Sequence, residues 1–144
     1  MRIYFGQIYL QPGVTFPFSF LFQNRLSEEV SALVLPSPNF VQEYGEDWKL
    51  MFRISAKRAI TDNEVRGPTV FRKDKDVEYT IFLPFDVITT SESEAKCAIE
   101  FLLQGVCSVL VSLGFDTARM QAHQAILAET LSSNSKMLDL RDRG

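Results

Sequence analysis

The chain has a single histidine, His123, and two cysteines, Cys97 and Cys107, among its 144 residues. That scarcity removes most metal and nucleophilic chemistry, because a zinc site needs three or four nitrogen or sulfur ligands. The two cysteines lie ten residues apart on one expected helix. That is about 15 Å along its axis, too far for an intrachain disulfide. Both are read as reduced core thiols, which suits a cytoplasmic location. Glycine is scattered, and no glycine-rich strand-to-helix turn is present to cradle a phosphate. No run reaches the roughly 18 uninterrupted apolar residues of a membrane span. The opening stretch, MRIYFGQIYLQPG, lacks the apolar core of a signal peptide. No membrane, metal or cofactor is therefore expected. An excess of one charge is missing too: the net charge is −3 and the pI about 5.2. This balance argues against nucleic acid, whose phosphates demand Lys and Arg, and is compatible with a basic protein partner.

What is present describes a globular chain. Hydrophobic residues make up 46% and charged residues 23%, ordinary values for a folded domain. The length suits one domain, assigned to 1–131. The small, polar and charged segment 132–144 is expected to be a disordered tail. Phenylalanine is abundant, at 12 residues, so the core should be largely aromatic.

Arg2 to Leu10 reads as a first strand, stopped by Pro12-Gly13. Phe16, Phe18, Phe20 and Phe22 alternate like a strand, whereas Phe22, Leu26, Val30 and Leu33 repeat like a helix. Good helix formers at 26–29 favour a helix from about Phe18 to Val34, ended by Pro36 and Pro38. Phe40 to Asp47 is expected to be a polar loop. Trp48 to Ile60 alternates, with Leu50, Phe52 and Ile54 on the face to be buried. Thr61 to Glu64 is read as a turn, with Gly67-Pro68 restarting the chain. Thr69 to Arg72 and Val77 to Phe85 are expected to form a hairpin around Lys73 to Asp76. Ser91 and Glu94 fit a capping box. It opens a long helix with the apolar stripe Ala95, Ile99, Leu102, Leu103, Val106, Leu110 and Leu113. Gly114 is the expected stop. Asp116 opens a final helix with Met120, Ala122, Ile126, Leu127 and Leu131 as its apolar positions. The expected fold is α+β: a mostly antiparallel sheet of about four strands, helices on one face, and two C-terminal helices.

Few residues combine into chemistry. At helical spacing His123 has Arg119, Met120, Ile126 and Leu127 beside it, with no carboxylate or thiol, and reads as a surface or interhelix residue. Acidic pairs such as Glu92 and Glu94 fall in turns or helix starts, where acids have structural work. Arg53, Lys57, Arg58, Arg66, Arg72, Lys73 and Lys75, interleaved with Phe52, Phe71 and Tyr79, could imitate an RNA-binding sheet face. The same residues also describe a solvated face whose edges are protected by charge, and nearby acids cancel them. The best candidate binding patch is Glu43, Tyr44, Glu46, Asp47 and Trp48, joined by Asp62 and Glu64 from the next turn. Aromatics flanked by charge are common interface anchors, although Trp48 could equally open the strand and plug the core.

The order strand, helix, polar loop with Trp48, three strands and two helices resembles a family of small immunity proteins. These belong to bacterial polymorphic and contact-dependent growth-inhibition toxin systems. The strand Glu78-Tyr79-Thr80-Ile81-Phe82-Leu83-Pro84-Phe85, the connector after it, and the helix Cys97 to Leu113 carry the likeness. The resemblance implies a protein that is not an enzyme and that binds a cognate toxin domain in the cytoplasm to neutralise it. Many such toxins are nucleases, which are often basic, so an acidic antidote is expected. The alternatives are a chaperone-like or adaptor binding module, an oligomeric structural protein, and an enzyme using carboxylates in an unrecognised pocket.

Overall fold

The computed structural model describes residues 3–7, 20–56, 64–83 and 92–133. Along the chain run β1 (Ile3–Gln7), α1 (Phe20–Leu33), α2 (Pro38–Glu43), β2 (Lys49–Ala56), β3 (Glu64–Phe71), β4 (Asp76–Leu83), α3 (Glu92–Ser112) and α4 (Ala118–Ser133). The class is α+β with a four-stranded sheet, but the sheet is mixed rather than mostly antiparallel. Its strand order is β1-β2-β4-β3. β1 pairs parallel with β2, β2 parallel with β4, and only β3 with β4 is antiparallel. A parallel pair needs a long crossover. The helices α1 and α2 supply one between β1 and β2. The β3–β4 hairpin folds back so that β4, not β3, lies beside β2.

Register aligns the alternating residues into rows. Ile3, Leu50, Val77 and Val70 form one row, and Phe5, Phe52 and Tyr79 the next. Phe5 and Phe52 stack at 5.5 Å between ring centroids. This face meets Phe22, Leu26 and Val30 of α1, together with Ile99, Leu102, Leu103, Val106 and Leu110 of α3, in one continuous core. All eight of these helical side chains are fully buried. By length and composition the window Ala95–Ser112, with mean hydropathy 1.5, could cross a membrane; here half of it is buried inside the protein.

Polar side chains close the seams. At the outer edge of β1, Ser31 Oγ accepts a hydrogen bond from the Ile3 N–H at 3.1 Å, and the Ser27 hydroxyl donates to the Ile3 carbonyl. Ser27 is buried because β1 needs it there. Ser37 caps α2, accepting from the Phe40 N–H at 3.1 Å and donating to the Leu113 carbonyl at 2.6 Å. The α3–α4 turn passes so close that a Cβ on Gly114 would lie 3.0 Å from Ser37 Oγ, and Gly114 has φ +87, where glycine is favoured. Leu35 N–H donates to the Asp116 carbonyl at 3.1 Å, and the Asp116 carboxylate accepts from the Ala118 N–H at 3.1 Å to open α4.

Several local expectations change. Residues 38–43 form α2 rather than a loop, because Ser37-Pro38 is a cap followed by a favoured first helical residue and Phe40 is buried. β3 runs through Gly67-Pro68, a cis peptide, with a register irregularity between Arg66 and Thr69. An edge strand tolerates a proline that a central one does not. Cys97 is exposed and so is not a core thiol, whereas Cys107 is half-buried and packs against the core. Ala122 and Ile126 of α4 face outward. α4 extends through Ser132, which is buried, to Ser133; 134–144 lie outside the described residues, as do Pro12-Gly13, Phe16, Phe18, Pro84 and the Ser91 cap.

Candidate functional site

The patch read from sequence resolves into a corner where β2 and β4 begin. α2 ends at Tyr44, and Gly45 turns the chain with φ +133. A Cβ on Gly45 would lie 3.1 Å from the Trp48 ring, so the close ring adds to the preference for glycine that the positive φ sets. Trp48 is 9% exposed. Its ring lies 5.2 Å from Tyr44, whose ring lies 4.8 Å from Phe40. The tryptophan therefore plugs the core and supports the corner from beneath. Burial, then the charge of Glu43, raises the Tyr44 hydroxyl above its usual pKa, which keeps it a neutral donor.

Glu43, Glu46 and Asp47 are exposed around this aromatic stack. They are not equivalent. Asp47 is paired with Lys75 of the β3–β4 turn, and that hydrogen bond holds its carboxyl below the usual range. Glu43 and Glu46 form no ion pair among the described residues. Glu64 does not belong to the corner. It pairs with Phe82, while the corner end of the sheet is the Lys49–Asp76–Phe71 row. Ser55 shares the Phe82 row, so the separation is six residues of strand, roughly 20 Å. Asp62 lies outside the described residues.

On the sheet face turned away from the helices, cations meet acids. Arg53 Nε lies 3.1 Å from Glu78 Oε1, Lys49 Nζ 4.0 Å from Asp76, and Arg66 3.4 Å from Glu64. The Arg66 guanidinium also sits 4.7 Å from the centroid of the Phe82 ring. This is a charge-balanced face, unlike the unpaired basic stripe that tracks phosphates.

A groove of about 160 Å³ opens between α1 and α4, lined by Glu29, Leu33, His123, Ile126, Leu127 and Thr130. The sequence could not bring Glu29 to His123, because they sit on different helices. Each is occupied on its own helix: Glu29 with Arg25 at 2.9 Å, and His123 Nδ1 with the Arg119 carbonyl at 2.8 Å. The Leu33, Ile126 and Leu127 side chains leave the groove largely apolar. Among the described residues no group of three or more His, Cys, Asp or Glu could hold a metal ion.

Fold and surfaces together define a small α+β domain with a corner that exposes Glu43 and Glu46 and an outer helix that exposes Ile126 among polar residues. Beyond that class, the chain matches no known protein family, no curated protein and no solved structure.

Proposed function

We propose that the chain is a non-enzymatic protein-binding domain, acting in the bacterial cytoplasm as an immunity protein that neutralises a cognate toxin domain. The observation that carries this reading is the corner itself. Two carboxylates, Glu43 and Glu46, which form no ion pair among the described residues, sit on a backbone braced by the Phe40–Tyr44–Trp48 stack. A rigid charged rim costs little ordering entropy on association and steers an oppositely charged partner. The contact is assigned to Glu43, Tyr44, Glu46 and Asp47, with Trp48 as their support. Glu64 would join only if the partner spans the length of the sheet.

The test is co-expression with a candidate toxin domain taken from a neighbouring gene, followed by association kinetics on the purified pair. Glu43→Lys with Glu46→Lys should slow association about tenfold or more and weaken its salt dependence, with the unfolding midpoint unchanged. Cells that die despite the wild-type chain would overturn the immunity reading. Binding that ignores this reversal but collapses with Arg53→Glu would move the contact to the open sheet face and require an acidic partner.

A further inference from the structure

The outer surface of α4 carries Arg119, Ala122, Ile126, Glu129 and Ser133 at alternating spacings of three and four. This is the spacing of residues that share one helix face and pack against another helix. All five are exposed, and Ile126 is 62% exposed, more than any other large hydrophobic residue among those described. The inward surface of the same helix is satisfied by Met120, Leu127, Ala128 and Leu131. Among the described residues the outer stripe takes no part in the core, and its one ion pair is that of Glu129 with Lys96.

We infer that this stripe is a homodimer interface in which α4 packs antiparallel against α4 of a second copy. The reasoning is that the stripe complements itself when reversed. In a two-fold contact every residue pair occurs twice, and an antiparallel arrangement matches positions equally distant from a central residue. Centred on Gln124, Arg119 meets Glu129 of the other copy, and the small Ala122 meets the large Ile126. Charges are opposed and volumes alternate, so one operator satisfies both terms. Arg119 has no acidic partner among the described residues. Glu129 already accepts from Lys96 at 2.7 Å, and a carboxylate has lone pairs for a second donor. On one side of the stripe, the groove with Leu33 and Leu127 extends the apolar strip. A single 16-residue helix offers less area than a standard interface of about 1,600 Å², so the dimer is concentration-dependent.

The inference rests on no part of the toxin-binding reading, since the corner and α4 are separate surfaces. Sedimentation of the full chain over a concentration series tests it, with circular dichroism verifying the fold of each variant. The wild type should shift from monomer to dimer. Arg119→Glu, or Glu129→Arg, should weaken association about tenfold or more, because each places like charges together twice. The double reversal should restore it to within about threefold. Ile126→Asp should abolish it, and keeps the test decisive if a reversal unfolds the chain. A monomer at every concentration overturns the inference, as does a dimer indifferent to these changes. So does an Ile126→Asp variant that stays monomeric like its parent but loses the toxin domain, which would assign the stripe to that partner.

Discussion

α3 and α4 are consecutive, antiparallel and both rich in apolar residues, yet they use them in opposite ways. Every residue predicted for the α3 stripe from Ala95 to Leu110 is fully buried. On α4 the corresponding reading splits: Met120, Leu127 and Leu131 go inside, and Ala122 and Ile126 remain outside. α3 lies across the sheet, and one wide face suffices. α4 lies behind α3 and touches the core along a narrower line. Apolar residues beyond that line must face water or another chain, so helical periodicity identifies burial only when the width of the stripe matches the width of the contact.

The largest effect expected from this contrast is at the centre of α3. Leu103→Ala should cost roughly 2–5 kcal/mol in denaturant unfolding, because a fully buried leucine loses both transfer energy and packing. A cost under about 1 kcal/mol would mean that α3 is no better packed than the outside of α4. Met120→Ala, on the inward side of α4, should cost roughly 2 kcal/mol, near the lower end for such truncations, because the first turn of a helix can settle into the space. Should Met120 prove neutral, the claim that α4 has a committed inner face fails.

Ile126→Ala should change the unfolding free energy of the dilute chain by less than about 0.5 kcal/mol, as surface substitutions do. A loss comparable to that of Met120→Ala would erase the distinction between the two faces.

The smallest effect concerns the ion pair tying the helices together. The Lys96 hydrogen bond holds the Glu129 carboxyl below its usual range, and the same contact raises Lys96. The carboxylate's contribution is complete above the ordinary glutamate value near 4.3 and disappears as pH falls through its lower folded value. The ammonium's contribution is complete below about 10.4 and disappears as pH rises through its raised one. Lys96→Gln should therefore lower the melting temperature slightly between those limits. The effect should fade as pH falls below the ordinary glutamate value and vanish once the Glu129 carboxyl is protonated. A difference that persisted in acid would show that Lys96 acts through packing of its stem.

The elements that sequence missed share a cause. α2 is six residues long with one deeply buried side chain, Phe40, too short for periodicity to register, although Ser37-Pro38 signalled its start. β3 was divided at Gly67-Pro68 because that pair usually interrupts a strand; only its place at the sheet edge makes it acceptable. The candidate patch was partly legible: Glu43 to Trp48 form one corner because they are neighbours in the chain. Glu64 was added by proximity in sequence, and the β3 register carries it to the other end of the sheet.

Sequence alone determined the alternation of β2, the stripe of α3, and the stop at Gly114, whereas the choice between helix and strand at 20–24 was made only by the α1 packing. The first three each follow from the local period of the backbone or from a conformation only glycine adopts readily. Tertiary structure decided that β4 lies between β2 and β3, that the sheet is mixed, that Trp48 points inward, and which side of α4 meets the core. Those outcomes depend on which surfaces compete for the same buried area, and no window of sequence contains both competitors.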